Sequence, residues 1–197
     1  MVLATVLAAL LLAGCGGGSS AGAESDFAGQ VVDPPFEVAA TPLTSTDGAP
    51  YSLVEDTERP LTLVFFGYTN CPDICGLVMS TLATAVNQLD EADREQVEVV
   101  FVTTDPARDT APVVERYVGQ FHDSFVGLTG ELPTIVDVAE PLGIAVEKGD
   151  RLPSGGYDVT HGTQVIGIDG TDTAPVYWSQ DTSAAQFAAD IHQLLGE

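Results

Sequence analysis

Two continuous apolar runs predict strands that are buried on both faces of a sheet. Residues 61–66 read LTLVFF, and residues 97–104 combine valine and phenylalanine with threonine. Short runs of β-branched and aromatic residues are typical of central strands in a sheet that is covered on both sides. Three shorter strands are predicted at residues 125–128, 164–168 and 176–178.

Helical patterns lie between and after these strands. Apolar residues between positions 74 and 89 recur at steps of three and four, which predicts one amphipathic helix. Residues 110–121 and 133–140 predict two shorter helices, and Pro141 is expected to end or kink the second. A last helix is predicted at the C-terminus. Because strands and helices alternate, the chain is predicted to have an α/β fold with a central sheet and helices on both faces.

The N-terminal segment predicts export and anchoring. Residues 2–13 form an apolar run that is too short to span a bilayer but is typical of a signal peptide. The run ends in the sequence LAGC, which resembles a bacterial lipobox whose cysteine, here Cys15, becomes acylated after cleavage. We therefore expect a lipoprotein signal peptide at 1–14, acylated Cys15 with a flexible linker at 15–30, and a globular domain at 31–197. The alternative is an ordinary secretory signal, with Cys15 discarded or left free.

Composition narrows the function classes. The 29 acidic and 6 basic residues give a formal net charge of −23, which argues against nucleic acid and against electrostatic docking to an anionic membrane. The hydrophobic fraction of 45% is sufficient for a packed core. Three cysteines are too few for a disulfide scaffold. Since charge does not favour membrane docking, attachment is expected through the lipid on Cys15, which would hold the protein on the extracytoplasmic side of the cell membrane.

Candidate chemistry lies between the first predicted strand and the first helix. Cys71 and Cys75 are four positions apart where the helix begins, close enough for their sulfurs to share one side and to form a disulfide. The positive end of the helix dipole favours thiolate, so we expect a lowered pKa for at least one of them. This pattern indicates a redox couple, a soft-metal site or both. The alternative, a structural disulfide, would close a loop too short to stabilise the fold much.

Four ordered segments resemble the Sco/SenC family. Residues 67–75 (GYTNCPDIC) are similar to its copper motif, and residues 157–161 (YDVTH) to the stretch that presents its histidine ligand. Two further segments, 105–110 (DPARDT) and 125–130 (FVGLTG), resemble other family motifs. The resemblance runs from about residue 35 to the C-terminus. It implies a thioredoxin-like fold, copper binding and a role in assembly of cytochrome c oxidase.

The resemblance also implies a ligand set of Cys71, Cys75 and His161. Cu(I) is soft and prefers thiolates, with imidazole as a compatible third donor. On the residues alone the third donor stays open, although His161 follows a loop rich in glycine and proline. Of the other histidines, His122 is expected at the end of a helix and His192 at a surface.

The chain departs from the family pattern at three positions, which are Asn70, Gly76 and Gly162. The family usually has histidine, proline and often serine there, respectively. None of these departures removes a ligand, but each is expected to bear on loop rigidity and copper affinity.

The sequence also predicts structural roles for five other side chains. Asp73 is expected to cap the helix, with tuning of the metal as the alternative. Arg108 and Asp109 are expected to pair with each other or with neighbouring loops. Tyr68 and Trp178 are expected in the core or at its rim.

The paired cysteines and the family resemblance are compatible with three functions. The first is a copper metallochaperone that passes copper to the oxidase subunit with the binuclear copper site, itself supplied by another copper chaperone or kept active by a thiol reductant. The second is a thiol-disulfide reductase that uses Cys71 and Cys75 to reduce the cysteines of that subunit. The third is a thiol peroxidase, in which Thr69 would help to activate Cys71.

Overall fold

The computed structural model describes residues 27–57, 59–151 and 157–196, and it leaves the side chains of residues 148–151 and 157–161 undescribed. Cys15, the predicted signal peptide and most of the predicted linker lie outside these ranges. The strands are β1 Gln30–Glu37, β2 Leu43–Ser45, β3 Pro50–Tyr51, β4 Leu61–Gly67, β5 Val97–Thr103, β6 Val126–Thr129, β7 Val146–Arg151, β8 Tyr157–His161, β9 Val165–Asp169 and β10 Thr173–Trp178. The helices are α1 Ile74–Gln88, α2 Glu91–Arg94, α3 Ala111–Val118, α4 Leu132–Ala139 and α5 Ala184–Leu195.

A mixed sheet forms the centre of the fold. Its strand order is β1-β10-β9-β4-β5-β6-β2-β3, and β7 pairs with β8 in a separate hairpin. The pairs β4–β5 and β5–β6 are parallel, whereas β4 pairs antiparallel with β9. Every residue of β4 is buried, as the continuous apolar run predicts. The carboxyl ends of β4, β5 and β6 therefore lie at one edge, where the loop containing Cys71 begins.

Helices cover both faces of this sheet, as predicted. Alternate residues of β4 point to opposite sides: Phe65 packs in one apolar cluster and Phe66 in the other. The first cluster includes the buried faces of α1, α3 and α5, and the second includes that of α4. The α/β class and the layer arrangement are thus confirmed.

Several boundaries differ from the sequence prediction. Helix α3 ends at Val118 rather than at residue 121, and a turn follows it. Pro141 acts as expected: α4 ends at Ala139 and continues as a 3₁₀ turn at Glu140–Leu142. The sequence does not predict β1, the β7–β8 hairpin or the short helix α2.

A buried carboxylate holds the first described residues against the domain. Asp190 in α5 is 1% exposed and accepts hydrogen bonds from Ala28 N–H, Gly29 N–H and Trp178 Nε1–H at 2.7–3.1 Å. Phe27 also packs near the Trp178 ring, with centroids 6.4 Å apart. Residues 27–29 thus already pack against the domain, whereas the sequence predicts that the domain begins at residue 31. Within the described ranges, no helix has the length and apolar character needed to span a membrane.

Candidate metal and thiol site

The connection from β4 to α1 places both cysteines at the edge of the sheet. Cys71 lies in the loop, and Cys75 is the second residue of α1. Gly67 ends β4 in a crowded position, where a Cβ would lie 3.0 Å from the Phe65 and Phe101 rings and 3.3 Å from Cys75 Sγ. Glycine at this position lets the strand end pass close to the thiol. Cys71 and Cys75 are not joined by a disulfide in this structure.

The two thiols have opposite surroundings. Cys71 is half-buried, and its Sγ accepts a hydrogen bond from Cys75 N–H at 3.4 Å. Burial opposes ionisation of Cys71, but hydrogen bonds from the Cys75 thiol and from the backbone of Asp73, Cys75 and Ile74 outweigh it and lower the pKa. Burial, followed by the neighbouring Cys71 sulfur, raises the pKa of Cys75. The expected lowering of one thiol pKa is therefore confirmed, and it falls on Cys71.

The cap of α1 differs from the expectation for Asp73. Asp73 is the N-cap residue, but it is exposed and its side chain makes no capping hydrogen bond. Its backbone, at φ −132° and ψ −89°, is not in the extended conformation that usually directs a cap side chain onto the helix. The assignment of Asp73 as a side-chain cap is therefore wrong. The sulfur of Cys71 accepts the N–H of Cys75 in its place.

Asp109 bonds to neighbouring segments, whereas Arg108 pairs within its own loop. Asp109 is fully buried and binds Thr69 and Thr103. Arg108 forms an ion pair with Asp105, and its guanidinium carbon lies 5.8 Å from the centre of the Tyr68 ring. Pairing with neighbouring segments, the second of the two expected arrangements, is therefore confirmed for Asp109, whereas the ion pair of Arg108 is local.

The three histidines lie in different parts of the fold and have different surroundings. His161 is the last residue of β8, and its backbone pairs with Val146; its side chain is outside the description, so its role as a ligand stays a prediction. His122 does not end a helix, since α3 stops four residues earlier; its Nδ1 lies 2.8 Å from Ser124 Oγ. His192 is at the surface as expected, with Nδ1 2.6 Å from Asp93 Oδ2.

Among the described side chains, no three histidine, cysteine, aspartate or glutamate residues come together as a ready metal site. The described part of the site therefore offers the two sulfurs of Cys71 and Cys75. Two thiolate donors suit a soft ion such as Cu(I), and an imidazole would be compatible as a third ligand.

Tyr117 is a neighbour of the site that sequence analysis does not single out. Its ring lies on α3, 5.0 Å from the Phe101 ring centre and 5.1 Å from that of Phe121. Burial, and then the charges of Cys75, Cys71 and Asp109, raise the pKa of its phenol. Its place three residues after Val114 on the apolar side of α3 is the sequence signal that would have suggested partial burial. The aromatic residues Tyr68 and Trp178 are in the core, as expected.

The model of the SCO1/SenC family matches residues 30–196. This chain belongs to the SCO1/SenC family. Members of the Sco family are cytochrome c oxidase assembly proteins, and the thioredoxin-like fold implied by the sequence resemblance is confirmed.

Individual Sco relatives agree with this assignment. The protein named SCO1 homolog 1, mitochondrial, of Arabidopsis thaliana is 41% identical over 123 residues, covering 58% of this chain and 36% of the relative. The solution structure of apo Sco1 from Thermus thermophilus has a TM-score of 0.78 and 30% identity, covering 88% of this chain and 99% of that one. The crystal structure of Arabidopsis thaliana ScoI with copper bound has a TM-score of 0.74 and 25% identity, covering 81% and 98%. The matched region covers only part of the length of the curated relatives. For the bovine protein named SCO2 homolog, mitochondrial, it covers 50% of that protein.

Proposed function

We propose that this protein is a lipid-anchored copper metallochaperone on the extracytoplasmic side of the membrane. Its cargo would be copper, delivered to the cytochrome c oxidase subunit that carries the binuclear copper site. The observation that carries the proposal is the pair of unlike thiols at the start of α1, in a family with copper-bound solved members. Another copper chaperone or a thiol reductant would act before it, and Cys15 would carry the anchor.

The two cysteines would contribute differently to holding copper. Cys71 has a lowered pKa, so its sulfur is the donor more readily available as thiolate. Cys75 has a raised pKa, so it would release its proton as the ion binds. His161 is proposed as the third ligand. Because Cys71 is also the less buried sulfur, it is the one that a partner protein could reach during transfer.

A reductase function is the second candidate, and the same asymmetry favours it. A Cys71 thiolate would attack a disulfide in the oxidase subunit and displace one thiolate. Cys75, after losing its proton, would then attack Cys71, which releases the second substrate thiol and leaves a Cys71–Cys75 disulfide. Two electrons pass to the substrate, and an external thiol reductant must restore the pair.

A peroxidase function is not proposed, because the candidate activating group, Thr69, is engaged elsewhere. The Thr69 hydroxyl donates to Asp109 Oδ1 at 2.6 Å.

The metallochaperone proposal predicts a ranked set of losses in copper affinity. The reduced full chain should bind one copper, measured by competition with a chromophoric Cu(I) chelator. Cys71→Ala and Cys75→Ala should each lower the affinity by about tenfold or more, since each removes a thiolate. His161→Ala should cause a smaller loss and should change the Cu(II) absorption spectrum.

His122→Ala provides the matched control. This histidine bonds Ser124 and stacks on Phe125, so its removal should leave copper affinity unchanged. Full affinity in Cys71→Ala, or equal losses in His122→Ala and His161→Ala, would contradict the ligand assignment. A reduced protein that binds no copper but rapidly reduces a disulfide substrate would favour the reductase instead.

A further inference from the structure

Asp109 is a buried carboxylate that joins the loop containing Cys71 to the neighbouring strand. Its side chain is fully buried. Oδ2 accepts hydrogen bonds from Thr69 N–H at 2.8 Å and from Thr103 Oγ1–H at 2.7 Å, and Oδ1 accepts one from Thr69 Oγ1–H at 2.6 Å. Thr69 is thus held through both its backbone and its side chain by a single carboxylate.

The backbone around Asp109 is also fixed. Asp109 N–H donates to Asp105 O at 2.9 Å, and Asp109 O accepts a hydrogen bond from Thr129 Oγ1–H at 3.2 Å. Thr103 ends β5 and Thr129 ends β6, so these contacts fasten Asp109 to the carboxyl ends of two adjacent strands. These contacts therefore fix the loop containing Cys71 relative to the carboxyl ends of β5 and β6.

The position of Thr69 bears directly on the sulfur of Cys71. Only Asn70 separates the two residues, and Cys71 N–H donates to Tyr68 O at 3.2 Å, which closes a tight turn around Thr69. In this position Cys71 Sγ accepts Cys75 N–H at the start of α1. A shift of the loop would move the sulfur off the helix N-terminus, whose amides stabilise its thiolate.

We propose that Asp109 is a positioning residue that holds the loop containing Cys71 in place, so that Cys71 Sγ lies against the N-terminus of α1. Three donors converge on the carboxylate, and a carboxylate can accept all three because it has only acceptor sites. Asp109 would hold the loop with or without copper, because its partners are residues of the chain itself. The same positioning applies equally to metal uptake and to disulfide exchange.

The test measures alkylation of Cys71 in the reduced, metal-free full chain. Iodoacetamide is added across a range of pH, and peptide mass spectrometry follows modification of Cys71 separately from that of Cys75. Asp109→Asn should lower the Cys71 rate at neutral pH by about fivefold or more and shift the midpoint of the pH–rate profile upward. Thr69→Val retains the N–H but removes the hydroxyl donor, so it should cause a smaller change in the same direction. Thr69→Ser keeps both the N–H and the hydroxyl donor, so Cys71 should be alkylated at the wild-type rate.

Asp190→Asn is the matched control. Asp190 is likewise a buried carboxylate that accepts three N–H groups, but it binds Ala28, Gly29 and Trp178. This variant should lose stability, measured by urea unfolding, without a change in the Cys71 profile. An unchanged Cys71 profile in folded Asp109→Asn would overturn the proposal, as would an equal change in Asp190→Asn. If Asp109→Asn does not fold, an unchanged profile in Thr69→Val overturns it. Because the assay contains no metal, its result is independent of whether the protein carries copper.

Discussion

At the scale of single residues, the contrast between Cys71 and Cys75 arises from their places on α1. Cys75 is on the face of the helix that packs into the core, and it is fully buried. Cys71 precedes the helix, where backbone N–H groups without partners in the helix point toward it. Metal uptake by the pair would require loss of the Cys75 proton, so copper affinity is expected to fall as the pH is lowered.

His192 allows a prediction for the pH dependence of stability. Hydrogen bonding to Asp93, followed by the charges of Asp93 and Asp90, raises the pKa of His192. A raised folded-state pKa gives stability that is fully present below the unfolded pKa of about 6.5 and is lost as the pH rises through the folded value. Urea unfolding of the wild-type protein and His192→Gln should therefore differ most near about pH 5.5 and converge in the alkaline range. A difference that stays constant across this range would contradict the assigned pairing.

At the scale of elements, the sequence predicts best what local pattern determines. The apolar runs of β4 and β5 and the repeat in α1 identify the central layers, because the two strands are buried over most of their length and one face of α1 packs into the core. Strand β1 is missed because it is a largely exposed edge strand that includes Pro34 and Pro35. Its register with β10 shifts between Val31 and Phe36, which accommodates residues that cannot donate to a ladder.

The candidate site shows the same division between local and long-range information. The start of α1 is local, so the sequence correctly places Cys71 and Cys75 at a helix N-terminus. The bond between Thr69 and Asp109 joins residues 40 positions apart, and it exists because β4 and β5 pair in parallel. No spacing rule identifies it from a single chain. The cap assignment was wrong because Cys71 Sγ, rather than the Asp73 side chain, accepts the Cys75 N–H at the start of α1.

Gly127 allows a prediction for the packing of α3 on β6. A Cβ at this position would lie 2.6 Å from Val114 Cγ1 and 3.1 Å from Thr46 Cγ2, so helix and strand would have to separate. Gly127→Ala should lower the free energy of unfolding by about 1–3 kcal/mol in urea titrations.

Gly76→Ala is the control for this substitution. No atom lies within 4 Å of a Cβ placed at Gly76 in α1, so alanine there should raise stability by about 0.5–1 kcal/mol through helix propensity. Equal effects of the two substitutions would show that close packing of α3 on β6 does not depend on Gly127.

At the scale of the whole molecule, the lipobox resemblance predicts where the protein resides. The protein should fractionate with membranes and carry acyl chains on Cys15, because several chains on one residue give stable anchoring. Cys15→Ser should abolish acylation and either release the protein or block processing of the precursor, measured by fractionation and mass spectrometry. An unmodified mature N-terminus at another residue would contradict this prediction.

The measurement that tests the central claim most directly compares copper binding by the fully reduced and fully oxidised protein. A thiolate is a metal ligand and a disulfide sulfur is a poor one, so copper and a Cys71–Cys75 disulfide should exclude each other. Copper is titrated into each form while free thiols are counted by alkylation. The account predicts tight one-to-one binding by the reduced protein, with loss of two alkylatable thiols, and weak binding by the disulfide form. Equally tight one-to-one binding by the disulfide form would contradict it.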